Sequence, residues 1–298
     1  MNLTETHSVP KFITPIRLQE YGVGIFNSAF TKSALKKAIK KKYITVNNTI
    51  ATSGTILRGG EQICLSIPQK THLYKKLIFP LQVIFEDEYL AVVYKPAGIL
   101  VSGNRFKTVA NALSQNIEQS NVIDATKPHP VHRLDYATTG VLLIGKTNTS
   151  IRLLNKMFEN KEVKKVYYAV TIGEMKSKGE IILDIDGKFS KSYYNLVKTV
   201  PSKRFNKLNL VKLEPVTGRR HQLRKQLSAI NNPILGDAIY GIENLILQGK
   251  GLYLHAYSLS FKHPFTDEQV CFKAEFPKRF KKIFPSKIAE LTAITNCN

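Results

Sequence analysis

The chain predicts an α+β fold: a mixed, largely antiparallel sheet with flanking helices, preceded by a small N-terminal α/β domain. Three observations lead there. Apolar runs of strand length recur in pairs around short turns, as in Val83-Ile84-Phe85 and Leu90-Ala91-Val92-Val93 either side of the acidic turn Glu86-Asp87-Glu88. Helical spacing is confined to a few segments between such runs, such as Ile151, Leu154, Met157 and Phe158. A stretch bounded by Pro68 and Pro80 separates the first helix–hairpin–strand pattern from the rest and suits an extended basic linker.

Bulk properties narrow the function classes. The 298 residues suffice for one large domain and a small one, and a hydrophobic content of 43% is ordinary for a chain with a real core. No apolar run reaches the roughly 18 residues that span a bilayer. The N-terminus MNLTETHSVPKF has no signal-peptide core, so a cytoplasmic location without membrane attachment is expected. Cys64, Cys271 and Cys297 form no CxxC pair, so reduced, inert thiols are expected rather than a zinc ribbon or redox dithiol. The net charge of +22 exceeds what solubility needs and points to a polyanion, nucleic acid before membrane.

In chain order, residues 1–15 read as a lead-in. A helix follows near Ala34, capped by Thr31 or Ser33, with Leu35, Ala38 and Ile39 as its apolar stripe. Lys36 with Lys40, and Lys37 with Lys41, are like-charge pairs four apart; each costs a few tenths of a kcal/mol unless phosphates neutralise that face. Tyr43–Val46, the turn-prone Asn47-Asn48 and the strand Gln62–Ile67 complete the pattern. This plan resembles the S-four-type RNA-binding domain, here over 12–67. Two positions depart from it: Ala34 stands where Arg is usual and Lys42 where Gly is usual. The resemblance implies RNA contacts from Lys36, Lys37, Lys40 and Lys41.

The second domain is expected over 81–285, after the linker 68–80 and before a frayed tail at 286–298. Lys95-Pro96-Ala97-Gly98 ends its second strand. Residues 106–120 read as a helix with Val109, Leu113 and Ile117 on one face, and a loop runs on to Val131. Then come His132-Arg133-Leu134-Asp135, a turn-prone run to Gly140 and the apolar strand Val141–Ile144, which places Asp135 on a loop before a central strand. Ser150 is the expected cap of the next helix. KKVYYAVTIGE alternates as a strand with Tyr167 and Tyr168 on opposite faces. FSKSYYNLVKTV and LNLVKLEPV pair as a hairpin over the turn PSKRFNK, which is placed to touch RNA. Within TGRRHQLRKQLSAINNPILGDAIYG, residues 217–241, Leu223, Leu227 and Ile230 recur at helical spacing, while Arg220 and Arg224 share another face. His255 and His263, in the closing strand LYLHAYSLSFKHP, are candidates for local hydrogen bonds.

Taken together, KPAG, HRLDYATTG, KVYYA, the TGRRHQLR…GDAIYG run and LHAYSLSFKHP resemble the motifs of the RluA-type pseudouridine synthases, in that family's order over 81–277. The departures are Tyr94 for Asn, Thr139 for Ser, Ser190-Lys191-Ser192 for an Ala-x-Thr step, Gln226 for His, and Asn231-Asn232 for Gly-His. The resemblance implies isomerisation of uridine to pseudouridine within RNA, with no cofactor and no metal. It makes Asp135 the catalytic residue, Arg224 its partner and Tyr167 the active-site tyrosine. A nearby guanidinium favours the ionised form of an Asp, and a flat ring can hold a freed uracil. Flipping the uridine costs a few kcal/mol; Arg133 is the implied wedge that fills the gap, with His132 holding the loop and Arg219 binding or fixing its own. Whether Asp135 attacks the sugar, attacks the base or removes a ribose proton is left open. Ribosomal RNA is the first expected substrate and transfer RNA the second, with a monomeric enzyme. Competing readings are an RNA-binding assembly factor with an idle site, suggested by Tyr94, Ser192 and Gln226, and a metal-dependent nuclease.

Overall fold

The computed structural model describes residues 2–11, 14–68, 77–247, 249 and 251–293. The chain divides into two compact units, Met1–Lys75 and Lys76–Asn298. No helix among the described residues is long and apolar enough to cross a membrane.

The first unit contains β1 (Asn2–Ser8), β2 (Ile16–Arg17), α1 (Leu18–Tyr21), α2 (Lys32–Lys40), β3 (Ile44–Val46), β4 (Thr49–Ile50), β5 (Ile56–Leu57) and β6 (Gln62–Pro68). Four of the strands form a sheet in the order β1-β6-β3-β4. Thr31 caps α2, its Oγ1 accepting the Ala34 N–H at 3.2 Å. Leu35, Ala38 and Ile39 face the core, and Lys36, Lys37, Lys40 and Lys41 are all exposed. Asn47 and Asn48 both take left-handed φ, as a two-residue hairpin requires. Lys42, where the resembled domain has Gly, sits at φ 59°, so the usual glycine there has a backbone reason. The expected lead-in is in fact the edge strand β1, paired with β6 from Asn2↔Pro68 to Ser8↔Gln62. Its polar sequence hides it, because an edge strand is held by main-chain bonds and need not bury alternate residues.

The second unit contains β7 (Gln82–Glu86), β8 (Leu90–Lys95), α3 (Val109–Ala112), β9 (Ala125–Pro130), β10 (Thr139–Thr147), α4 (Asn148–Glu159), β11 (Lys164–Ile172), β12 (Lys178–Ile185), β13 (Lys188–Ser202), β14 (Asn206–Pro215), α5 (Gln222–Ala229), β15 (Leu254–Lys262), β16 (Gln269–Lys273), α6 (Lys278–Ile283) and α7 (Pro285–Ala293). One ten-stranded sheet runs β12-β13-β14-β11-β15-β10-β8-β7, with β9 paired to β10 and β16 to β15. Every pairing is antiparallel except β10 with β15, which are parallel at Thr139↔His255 and Gly140↔Ala256. Gly140 has φ +122°, and a Cβ there would lie 2.0 Å from the Ala256 carbonyl oxygen. Only glycine permits this approach.

Two apolar cores pack on this sheet. Leu90, Val92, Leu142, Ile144, Val109 and Leu154 belong to one, with α3 and α4. Leu210, Leu213, Leu223, Leu227, Phe280 and Ile288 belong to the other, with α5, α6 and α7. All nine residues of β10 are buried, as a central strand demands.

Several expectations need correction. Residues 106–120 hold only the single turn α3 and a 3-10 turn, although Val109, Leu113 and Ile117 are buried as expected. Asn side chains compete for the backbone: Asn116 Nδ2 donates to the Phe79 and Ala112 carbonyls and its Oδ1 accepts from Leu81 N–H. The expected loop before Val131 contains β9, whose Pro128 and Pro130 are tolerated because the strand pairs on one side only. Thr147, not Ser150, caps α4, and Ser150 returns the bond from the third helical position. Strand β12 was not anticipated. Helix α5 begins at Gln222, so Arg220 lies in the preceding turn, exposed, and does not share a helix face with Arg224. Part of the expected frayed tail is α7, docked through buried Ile288; residues 294–298 lie outside the described residues, as do 69–76 of the linker. Cys64 is free but Cys271 is disulfide-bonded, against the expectation of unpaired thiols. Sequence spacing says nothing about cysteines brought together only in space.

Candidate active site

Asp135 lies on the loop entering β10, where the HRLD run ends. That loop is fixed from three directions. The Thr138 N–H donates to the Asp135 carbonyl at 3.1 Å, closing a turn. The ammonium of buried Lys95, at the end of β8, donates to the carbonyls of Pro96 (3.0 Å), Tyr136 (3.3 Å) and Thr138 (2.7 Å). Burial lowers the Lys95 pKa to about 8, with the Asp135 charge opposing the shift. His132 accepts the Leu143 N–H at its Nε2 (3.0 Å) and stacks on Phe158 at 4.8 Å. Burial, and then the charge of Lys165, depress its pKa to about 3, so the ring is neutral and holds the loop to β10. Thr139, which replaces the usual Ser, uses its hydroxyl: Oγ1 and His255 Nδ1 are hydrogen bonded at 2.9 Å.

The Asp135 carboxylate faces a pocket of about 590 Å³, within the range of ligand cavities. Tyr167 lines it from β11, while Tyr168 points to the other face and packs edge-on against Tyr257 and Phe276. Burial, with Asp135 beside it, pushes the Tyr167 phenol well above the ordinary range, so it is un-ionised at neutral pH. Arg224 reaches the pocket from α5, with Nη1 3.6 Å from Asp135 Oδ2. His221 Nε2 lies 3.8 Å from Oδ1 of the same carboxylate. Arg133 and Arg219 line the pocket and are exposed; Arg219 also ties down its loop, donating from Nε to the Phe189 carbonyl at 3.1 Å.

Arg224 has a second, closer partner that sequence reasoning missed. Its Nε and Nη2 donate to the two oxygens of buried Asp237 at 2.7 and 2.8 Å. Asp237 also accepts the N–H groups of Ile239 and Tyr240. Burial would raise the Asp237 pKa, but these bonds and the Arg224 charge hold it below its ordinary value. Tyr240 then covers the guanidinium at 5.0 Å and its hydroxyl is hydrogen bonded to His221 Nδ1 at 3.0 Å. His221 occupies a left-handed conformation, φ 56°, that turns its ring into this cluster. The available signal was the Gly236-Asp237 step: a Cβ on Gly236 would meet the Gly251 carbonyl oxygen at 2.0 Å, so the backbone that presents Asp237 needs glycine.

Three of the unusual positions lie off the pocket. Ser192 Oγ donates to Gln226 Oε1 (2.7 Å), and Gln226 Nε2 donates to Ser190 Oγ and the Ile181 carbonyl (both 3.1 Å). Gln222 Nε2 donates to Ser192 Oγ at 2.9 Å. The substitutions at 190, 192 and 226 therefore answer one another in a closed buried network rather than touching a substrate. Tyr94 is the neighbour of Lys95 along β8 and packs near His255, at 6.1 Å. Lys36, Lys37, Lys40 and Lys41 belong to the first unit. Among the described residues no group of three or more His, Cys, Asp or Glu side chains is placed to hold a metal ion.

Residues 89–229 match the family model described as RNA pseudouridylate synthase. An uncharacterized RNA pseudouridine synthase of Aquifex aeolicus is 33% identical, over 86% of this chain and 89% of that protein. The chain belongs to the RluA-type RNA pseudouridine synthases. Ribosomal large subunit pseudouridine synthase C of Rickettsia felis is 31% identical, over 91% of this chain and 97% of its own. Ribosomal large subunit pseudouridine synthase D of Zymomonas mobilis is 30% identical over 74% and 76%. Among solved structures, human RNA pseudouridylate synthase domain containing 4 shares the fold with a TM-score of 0.55 and 24% identity, covering 71% of this chain and 93% of that one. The enzyme is thus an isomerase that converts uridine in RNA to pseudouridine: the bond from ribose to nitrogen 1 breaks, the uracil turns, and the ribose rejoins at carbon 5.

Proposed function

We propose that Asp135 is the anionic group of this reaction, that Arg224 holds it in place and stabilises its charge, and that Tyr167 stacks on the freed uracil and handles a proton. The observation that carries this reading is the bracketing of one carboxylate, by Arg224 Nη1 at 3.6 Å and His221 Nε2 at 3.8 Å, in the pocket that Tyr167 lines. Exposed Arg133, two residues from Asp135, fills the gap left by the flipped uridine; its neighbour His132 keeps the loop rigid. The first unit is an S-four-type RNA-binding domain whose Lys36, Lys37, Lys40 and Lys41 contact phosphates. Arg219 contacts RNA at the pocket rim.

The substrate is large-subunit ribosomal RNA, in keeping with the names of the relatives, and the enzyme works in the cytoplasm as a monomer. Every group around Asp135 comes from the second unit of one chain, which supports the monomer. Tyr94, Ser192 and Gln226 do not line the pocket, which favours an active enzyme over an idle assembly factor. The decisive experiment is tritium release from uridine-labelled RNA by wild type and Asp135→Asn, with pseudouridine mapping of ribosomal and transfer RNA. Loss of release in the variant is expected; equal rates would overturn the assignment.

A further inference from the structure

Lys161 and Lys165 line the same pocket as Asp135 and Tyr167. Lys161 sits in a left-handed turn after α4, φ 61°, and is exposed; Lys165 is half-buried on β11. Neither ammonium has a hydrogen-bond or ion-pair partner among the described residues. The other lysines buried in this unit are satisfied: Lys146 pairs with Glu86 at 2.7 Å, and Lys95 donates to three carbonyls. Lys165 is instead depressed in pKa, by burial first and by the Lys161 charge second. Glu159, exposed on the same rim, is in ion-pair contact with neither. Two like charges converging on a cavity, one of them half out of water, are unfavourable unless an anion joins them.

We propose that Lys161 and Lys165 form a phosphate subsite that seats a phosphodiester adjacent to the flipped uridine. The proposal rests on the RNA-modifying role given above and adds a ligand to a part of the pocket which that role leaves unused. Lys165 precedes Tyr167 by two residues on the same strand and both line the pocket, so their Cα atoms stand about 6.6 Å apart on one face of β11. A nucleotide whose base lies on that ring has its backbone within reach of the ammonium. Arg133 is exposed on the same pocket.

The test uses the full chain and a hairpin RNA around a uridine mapped as converted, with single uncharged methylphosphonate linkages placed in turn around it. A charge-assisted phosphate contact is worth about tenfold or more in affinity. Lys165→Met should raise Kd and KM about tenfold with kcat within about twofold, and Lys165→Arg should recover most of the loss. On wild type, one linkage beside the target should cost a similar factor, and on that RNA Lys165→Met should lose nothing further. Unchanged binding in Lys165→Met, or an equal loss on every modified RNA, would overturn the subsite. Failure of wild type to convert the unmodified hairpin would instead count against the parent reading, while the Kd contrasts still decide the subsite.

Discussion

Asp237 grips Arg224 through two short hydrogen bonds, 2.7 and 2.8 Å, and leaves only Nη1 facing Asp135 at 3.6 Å. The guanidinium is therefore oriented before any RNA arrives. Asp237→Asn should remove the charge that fixes it. Breaking a buried pair costs about 3–5 kcal/mol of stability, and a misplaced active-site group costs about 100-fold in rate. Urea unfolding and single-turnover kinetics should show both losses with KM little changed. The Asp237 carboxyl titrates below its ordinary value in the fold. Its stabilisation is therefore complete above the ordinary carboxylate range and is lost as pH falls through the lowered folded value. Wild type and Asp237→Asn should converge in stability at the acid end.

One half-buried and one buried histidine set a different pH dependence. His132 and His255 are lowered from 6.5 to about 3 and about 4. Each takes up a proton on unfolding once pH drops below 6.5, so stability is lost as pH falls towards the folded values. The slope is about 1.4 kcal/mol per pH unit for each group. Urea midpoints at pH 7, 6 and 5 should fall steeply for wild type, and His255→Gln should make that fall shallower.

The Tyr167 phenol is un-ionised far past neutrality, so its ring and its hydroxyl can be separated by substitution. Tyr167→Phe keeps the stacking surface and should lower kcat by about 100-fold or more, the range of a lost proton-transfer group, with KM nearly constant. Tyr167→Ala should additionally weaken RNA binding by about 1–3 kcal/mol. Equal kcat in Tyr167→Phe and wild type would remove the proton-handling role.

The Ser190–Gln226–Ser192–Gln222 network is predicted to serve stability and not selectivity. Ser192→Ala leaves Gln226 Oε1 without its 2.7 Å donor and should cost about 1–3 kcal/mol. The kcat/KM on any RNA should stay within about threefold of wild type. A change in which uridines are modified would contradict this and give residues 190–192 a substrate-facing role.

The parts of this enzyme that were legible in the sequence are those where one residue's neighbours decide its structure. The apolar run after Asp135 had to be a buried strand, and alternation along 164–172 put Tyr167 and Tyr168 on opposite faces. Arg224 could be assigned to Asp135 through the motif, but nothing local shows that Asp237, 13 residues on, holds it more tightly. Hydrophobic pattern also misses elements held by backbone bonds, such as β1, or spoiled by proline, such as β9. The departures at Ser192 and Gln226 suggested an idle site because the hydrogen bond that joins them spans 34 residues and exists only in the folded chain.

The strand order carries a consequence for synthesis. Asp135 enters from β10, whereas Tyr167 and Arg224 belong to the β11 side, and what sutures the two halves is β15, Leu254–Lys262. The ribosome makes that strand after Asp135, Tyr167 and Arg224, so a nascent chain carries all three side chains before the strand that joins their halves of the sheet exists. The pocket is completed late, by nine residues of which Leu254 itself lines it.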